Sequence, residues 1–204
     1  MKVTHVLPLL LFFREVYLES KLNVEILFES LCPDSLRFIR EQLHPHLKEL
    51  APYVNLKLVP FGKSASLEDG TQFICQHGPQ ECKGNRIMSC ALERISDQTL
   101  QVDYVNCFMT IFKRGKHNPE EFGQLCAMQS GLDINDVMKC YNTNEGTIHQ
   151  LRAEDDTVRI LPKFIPTVLY NGEFVQQLQD ESLLDFKGVV CRLISKNFPG
   201  SCLY

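Results

Sequence analysis

"NVEILFESLCPDSLRF", residues 23–38, changes its hydrophobic period half-way, and that change decides the fold. Val24, Ile26 and Phe28 alternate with more polar neighbours, the pattern of a strand with one face turned inward. Beyond Pro33 the apolar positions become Leu36, Ile39, Leu43, Leu47 and Leu50, spaced by three or four as on one face of a helix. Proline suits a first helical turn, whose N–H has no partner inside the helix. Cys32 therefore falls at a helix N-terminus. "VNLKLVPFG", residues 54–62, supplies a second strand with Val54, Leu56 and Leu58 on one side. The chain begins on a strand–helix–strand unit.

Residues from 64 to about 160 read as helical. "LQVDYVNCFMTIF" and "NPEEFGQLCAM" carry helical periodicity and are separated near Gly115. Asp133 is placed to cap the helix that opens with "INDVMKC". "FIPTVLYNGEFVQQ", residues 164–177, reads as a hairpin turning at Asn171-Gly172. "DESLLDFKGVVCRLI" reads as a closing helix with Leu183, Phe186, Val190 and Leu193 on one face. The order is strand, helix, strand, helical stretch, two strands, helix. That order predicts an α/β protein: a thioredoxin-like core with a helical, disulfide-rich insertion over about 64–160. Pro166 then stands where such a fold puts a cis-proline opposite its reactive cysteine.

Hydrophobic residues at 44% and charged residues at 23% describe an ordinary globular chain of 204 residues, enough for one sizeable domain. A net charge of -4 without a basic cluster excludes a nucleic-acid surface. The apolar run Val6 to Phe13 is too short to span a bilayer but suits the core of a signal peptide, expected over residues 1–20. The domain proper is then 21–204. Nine cysteines point to an oxidising compartment. Eight can pair into four disulfides in on the order of a hundred ways, leaving one over.

"CQHGPQECKGNRIMSC", residues 75–90, matches the pattern C-Q-H-G-x-x-E-C-x-x-N-x-x-x-x-C at every fixed position. With "CAMQSGLDINDVMKC" and "IPTVLYNGEF" downstream, the chain resembles the gamma-interferon-inducible lysosomal thiol reductase (GILT) family over roughly residues 23–202. The resemblance implies a thioredoxin-like protein of the secretory or lysosomal lumen, stapled by disulfides, whose active members reduce protein disulfides at acidic pH. Their reactive Cys-x-x-Cys maps onto Cys32 and Ser35. Here the sequence departs from the family: the nucleophile's place keeps its sulfur, and the resolving cysteine's place holds serine. A thiolate at Cys32 opens a disulfide and forms a mixed disulfide, but a hydroxyl cannot resolve it. Release requires an external small thiol or the substrate's own thiol. Helix N-terminal amides favour a thiolate at this place, and an ionised Asp34 opposes it.

Each feature has a plainer reading. Cys32 as a merely unpaired buried cysteine is the alternative to a retained reactive thiol, and Ser35 is also an ordinary early-helix residue. Cys75, His77, Cys82 and Cys90 offer zinc ligands; their irregular spacing favours disulfides, and no metal or cofactor is expected. The disulfide candidates are Cys75, Cys82, Cys90, Cys107, Cys126, Cys140, Cys191 and Cys202. His77 and Glu81 read as hydrogen-bonding or capping residues rather than catalysts, and His44 and His46 as solvent-facing. Two functions follow: a thiol–disulfide exchange protein with weak or thiol-dependent reductase activity, acting on disulfide-containing proteins, or a non-catalytic secreted binding relative. Family membership adds host defence. No N-x-[ST] sequon occurs, so secretion stands beside the lysosome as a destination.

Overall fold

A computed structural model describes residues 20–112 and 118–202. The signal peptide expected over residues 1–20 lies outside the described residues except for its last position, as does the break expected at Gly115.

Strand β1 (Leu22–Phe28) is central in a three-stranded sheet of order β2-β1-β5. It runs parallel to β2 (Val54–Pro60), with Ile26 opposite Leu58, and antiparallel to β5 (Thr167–Tyr170), with Ile26 opposite Val168. A central strand covered on both faces buries both sets of side chains. So Val24, Ile26 and Phe28 enter the main core, while Leu27 enters a second, smaller core on the other face with Cys32, Val59, Phe61, Ile165 and Leu169. The alternation expected for this strand gives only half of what it buries. Glu25 is buried as well, in ion pairs with Lys57 (3.4 Å) and Arg159.

The helix after Cys32 is one rod in three parts: α1 (Pro33–Phe38), a π-helical turn (Ile39–Leu43) and α2 (His44–Leu50). Pro45 explains the middle part. It has no N–H for the Glu41 carbonyl, and its ring would collide there. The His44 N–H instead reaches back to the Ile39 carbonyl, widening the turn so that the helix passes the proline. His44 is only half-exposed and pairs with Asp103 at 3.0 Å.

Between β2 and β5 come a short hairpin, β3 (Ala65–Leu67) with β4 (Gln72–Ile74), and helices α3 (Pro79–Leu92), α4 (Gln98–Phe112), α5 (Pro119–Gln129), α6 (Ile134–Asn142) and α7 (Asn144–Val158). The hairpin lies in a stretch read from sequence as helical. Asp133 does cap α6, accepting the Asn135 N–H at 2.8 Å. Buried Ile87, Met88, Phe108, Phe112 and Val137 from these helices join the strands in the main core.

The hairpin expected over 164–177 is a single strand and a turn. Asn171 (φ 51°) and Gly172 (φ 81°) form the tight turn, but the returning chain makes only an isolated bridge, Tyr170 with Glu173, before α8 (Gln176–Ile194) begins. The face expected for this last helix also shifts. Asp185 leaves helical geometry (φ -149°, ψ 70°) and its carboxylate accepts the Gly188 N–H at 2.9 Å, capping the second half of the helix. Phe186, Val189, Val190 and Ile194 are the buried apolar positions, and Leu183 is exposed.

Candidate functional site

Cys32 sits at the joint between β1 and α1. Its extended backbone (φ -69°, ψ 120°) makes it the N-cap residue of α1, and its sulfur accepts the Ser35 backbone N–H at 3.5 Å. The thiol points at the Ile165 carbonyl oxygen, 3.6 Å away, immediately before the cis Ile165–Pro166 peptide. Cys32 and Pro166, far apart in the chain, thus meet across the sheet end. The thiol is nearly buried, at 7% exposure.

Ser35 is fully buried. Its hydroxyl oxygen accepts the Glu29 N–H at 3.4 Å, so the observed contact with the Cys32 sulfur comes from the Ser35 backbone. The other eight cysteines are bonded as Cys75–Cys82, Cys90–Cys140, Cys107–Cys126 and Cys191–Cys202, and Cys32 is a free thiol. The first two bonds occupy the sulfurs that a zinc reading of the 75–90 motif would need.

Two supports of this loop had no separate signal in the sequence. Gln179, buried in α8, accepts the Val168 N–H at 2.7 Å and donates to the Pro166 carbonyl at 3.1 Å, holding both sides of the proline's strand. Glu29, buried at the end of β1, accepts the Lys63 N–H at 2.6 Å. Gly62 lies so close, with φ 61°, that a Cβ there would meet Glu29 Cγ at 2.2 Å.

The 75–90 motif packs against the same loop. Asn85 accepts the Ser30 N–H (2.9 Å), Glu81 accepts the Leu31 N–H (3.3 Å), and the Ser30 hydroxyl donates to the Glu81 carbonyl (3.0 Å). Gly84 lets α3 come this near: a Cβ would stand 2.5 Å from the Ser30 hydroxyl oxygen. His77 joins the cluster through Nδ1, 2.6 Å from Glu81 Oε2 and 3.3 Å from Glu29 Oε2. Its N–H also donates to Glu81 Oε1 at 2.9 Å. Burial raises the Glu29 carboxyl to about 7, with Glu81 adding to the rise and the Lys63 N–H and His77 opposing it.

The donor atoms of Glu29, His77 and Glu81 all lie within 4.8 Å of one another, a grouping that could hold a cation. The distances are those of a hydrogen-bonded cluster instead. Two donors on tetrahedral zinc, with bonds of about 2.0–2.1 Å, stand roughly 3.3 Å apart, whereas the His77 imidazole and Glu81 carboxylate here stand 2.6 Å apart, a hydrogen-bond distance. In the second grouping among the described residues, Cys140 with Glu145 and His149, the sulfur is already in a disulfide.

The description "Gamma interferon inducible lysosomal thiol reductase (GILT)" matches residues 23–130. GILT-like protein 1 of Drosophila melanogaster is 36% identical over 203 residues, covering 91% of this chain and 80% of the relative. The chain belongs to the GILT family. A GILT-like protein of Anopheles gambiae is 37% identical over 92% of this chain and 82% of its own length. Among solved structures, a DsbA variant of Pseudomonas aeruginosa superposes with a TM-score of 0.59 at 17% identity, covering 86% of each chain. Reduced DsbA1 of Neisseria meningitidis gives 0.57 at 14% identity, over 87% of this chain and 86% of its own. At such identities the likeness shows the fold, and the fold is thioredoxin-like. For this GILT-family chain the 75–90 motif is thus a structural brace for the loop bearing Cys32. Among the described residues no helix is long and apolar enough to cross a membrane.

Proposed function

We propose that this chain is a thiol–disulfide exchange protein of the secretory or lysosomal route, working in host defence through the single reactive thiol of Cys32. The observation that carries the reading is the free thiol at the N-cap of α1 facing the Ile165 carbonyl, while all the other cysteines are paired. The Cys32 thiolate attacks one sulfur of a substrate disulfide. A new Cys32–substrate disulfide forms, the substrate's S–S bond breaks, and its other sulfur leaves as a thiolate that takes a proton from water. A small thiol then attacks Cys32 Sγ, freeing the reduced substrate, and a second equivalent regenerates Cys32 as the small-molecule disulfide departs. Ser35 holds the place of a resolving cysteine and supplies no sulfur, so turnover depends on that external thiol.

Residues 64–160 serve as a helical insertion that braces this site. Pro166 borders the groove that receives substrate. A cavity of about 170 Å³ lined by Leu161, Phe164, Thr167 and Phe174 adjoins the proline loop and offers an apolar seat for chain flanking the disulfide. The specific observation favouring the second reading, a non-catalytic binding relative, is the burial of Cys32 and Ser35 together. Insulin reduction with and without glutathione separates the two. Thiol-dependent turnover that Cys32→Ser abolishes supports exchange. Insulin binding without adduct or turnover supports the binding relative.

A further inference from the structure

We propose that His77 and Glu29 are positioning residues for Cys32, and that their cluster with Glu81 grips the Cys32 loop firmly only while the buried Glu29 carboxyl holds its proton. The inference rests on Cys32 being the exchanging thiol, and it assigns the acidic cluster a part in presenting it.

The grip consists of hydrogen bonds that reach the chain on both sides of Cys32. Glu81 accepts the Leu31 N–H, next to Cys32, and its carbonyl receives the Ser30 hydroxyl. Glu29 bears the carbonyl that receives the Cys32 N–H at 3.3 Å and the N–H that meets the Ser35 hydroxyl. His77 Nδ1 lies between the two carboxylates. Any shift between Glu29 and Glu81 is therefore transmitted to both sides of Cys32.

Charge counting sets the proton requirement. The side chains of Glu29 and Glu81 are both wholly buried, and His77 is 31% exposed. Two buried carboxylates beside a single imidazole crowd negative charge into a poorly solvated place, and a proton on Glu29 relieves it. Glu29 Oε2 accepts no hydrogen bond; His77 Nδ1 approaches it at 3.3 Å but stands nearer to Glu81, at 2.6 Å. The charged groups facing Glu29 are Glu81 and His77 from the α3 side and Lys63 from the loop after β2. Lys63 favours ionisation through its backbone N–H and, more weakly, its charge, but burial outweighs both. On α1, exposed Arg37 is paired with exposed Asp34 at 2.9 Å, so this neutral pair supplies no compensating positive charge. Once Glu29 ionises, the carboxylates repel each other, His77 serves only one well, and the Leu31 amide loses its anchored acceptor.

The test is amide hydrogen exchange by NMR on the whole chain with disulfides intact, corrected for intrinsic rates, with Ile26 in β1 as the internal reference. Between pH 5.5 and 8, Leu31 protection should fall about tenfold in the wild type and stay within about twofold in Glu29→Gln, which mimics the protonated carboxyl. His77→Gln should lower Leu31 protection already at pH 5.5 with Ile26 unchanged. A flat wild-type profile, the same fall in Glu29→Gln, or undiminished Leu31 protection in His77→Gln overturns the proposal. The readout is an amide, so it is independent of whether Cys32 traps substrate; that reading fails on trapping alone. The functional consequence is a Cys32 alkylation profile whose step near neutral pH disappears in Glu29→Gln.

Discussion

Replacing Glu29 by glutamine should make the protein relatively more stable as the pH rises. Glu29 titrates at about 7 in the fold against an ordinary 4.5, chiefly because burial penalises its charge. A carboxyl raised in this way binds its proton more tightly folded than unfolded. Its contribution is fully present below about pH 4.5 and is lost as the pH climbs through 7. At about 1.4 kcal/mol per pH unit the gap is worth at most roughly 3 kcal/mol, and access of solvent past His77 reduces this to about 2 kcal/mol. Glutamine keeps the shape and the acceptor for the Lys63 N–H but has nothing to ionise. Urea denaturation at pH 5 and pH 8, in a Cys32→Ser background to prevent disulfide shuffling, measures the difference. Glu29→Gln should be near neutral at pH 5 and more stable than its parent by about 2 kcal/mol at pH 8. A stability difference that does not change with pH would mean instead that Glu29 has the same proton affinity folded and unfolded.

Other expectations rest on single contacts. Alkylation under non-reducing denaturation, followed by peptide mapping, should label Cys32 alone; label at Cys75 or Cys82 contradicts the pairing described. Removing Cys90–Cys140 by double alanine substitution opens a 50-residue separation and should cost about 4 kcal/mol in urea denaturation, more than removing Cys75–Cys82 with its separation of 7. Asp133→Ala removes the cap of α6 and should cost about 1 kcal/mol by the same assay, with Asp133→Asn close to neutral.

The change of period around Cys32 places β1, the helix start and Cys32 itself, because proline at a first turn and a β-to-helix switch are both local signals. Asp133 was readable for the same reason. What escaped the sequence depends on meetings between distant segments. Glu29 looks like a polar strand end until Gly62, His77 and Glu81 close over it, and Gln179 is one more helix glutamine until it meets Pro166 and Val168. The β3–β4 hairpin is short, with Ala65, Leu67, Gln72 and Ile74 exposed, so it lacks an alternating buried pattern. In α8 the local clue was available: an aspartate three residues before Gly188 restarts the helix and rotates its buried face. For Cys90–Cys140 and Cys107–Cys126 the pairing is set by how α3 packs on α6 and α4 on α5, which cysteine spacing does not encode.

In the proposed mechanism Cys32 exchanges disulfides but lacks an internal thiol to finish the reaction. Ser35 stands on the first turn of α1 with its N–H on the Cys32 sulfur, so a thiol introduced there would attack intramolecularly, with the large rate advantage that proximity confers. The decisive measurement follows reduction of fluorescent insulin without added small thiol, alongside a non-reducing gel, for wild type, Ser35→Cys, Cys32→Ser and the Cys32→Ser/Ser35→Cys double variant. The expected outcome is trapped adducts with little reduction in the wild type, stoichiometric reduction with few adducts for Ser35→Cys, and neither whenever Cys32 is absent. No wild-type adduct together with no gain from Ser35→Cys, in a variant whose folding is intact, would contradict it.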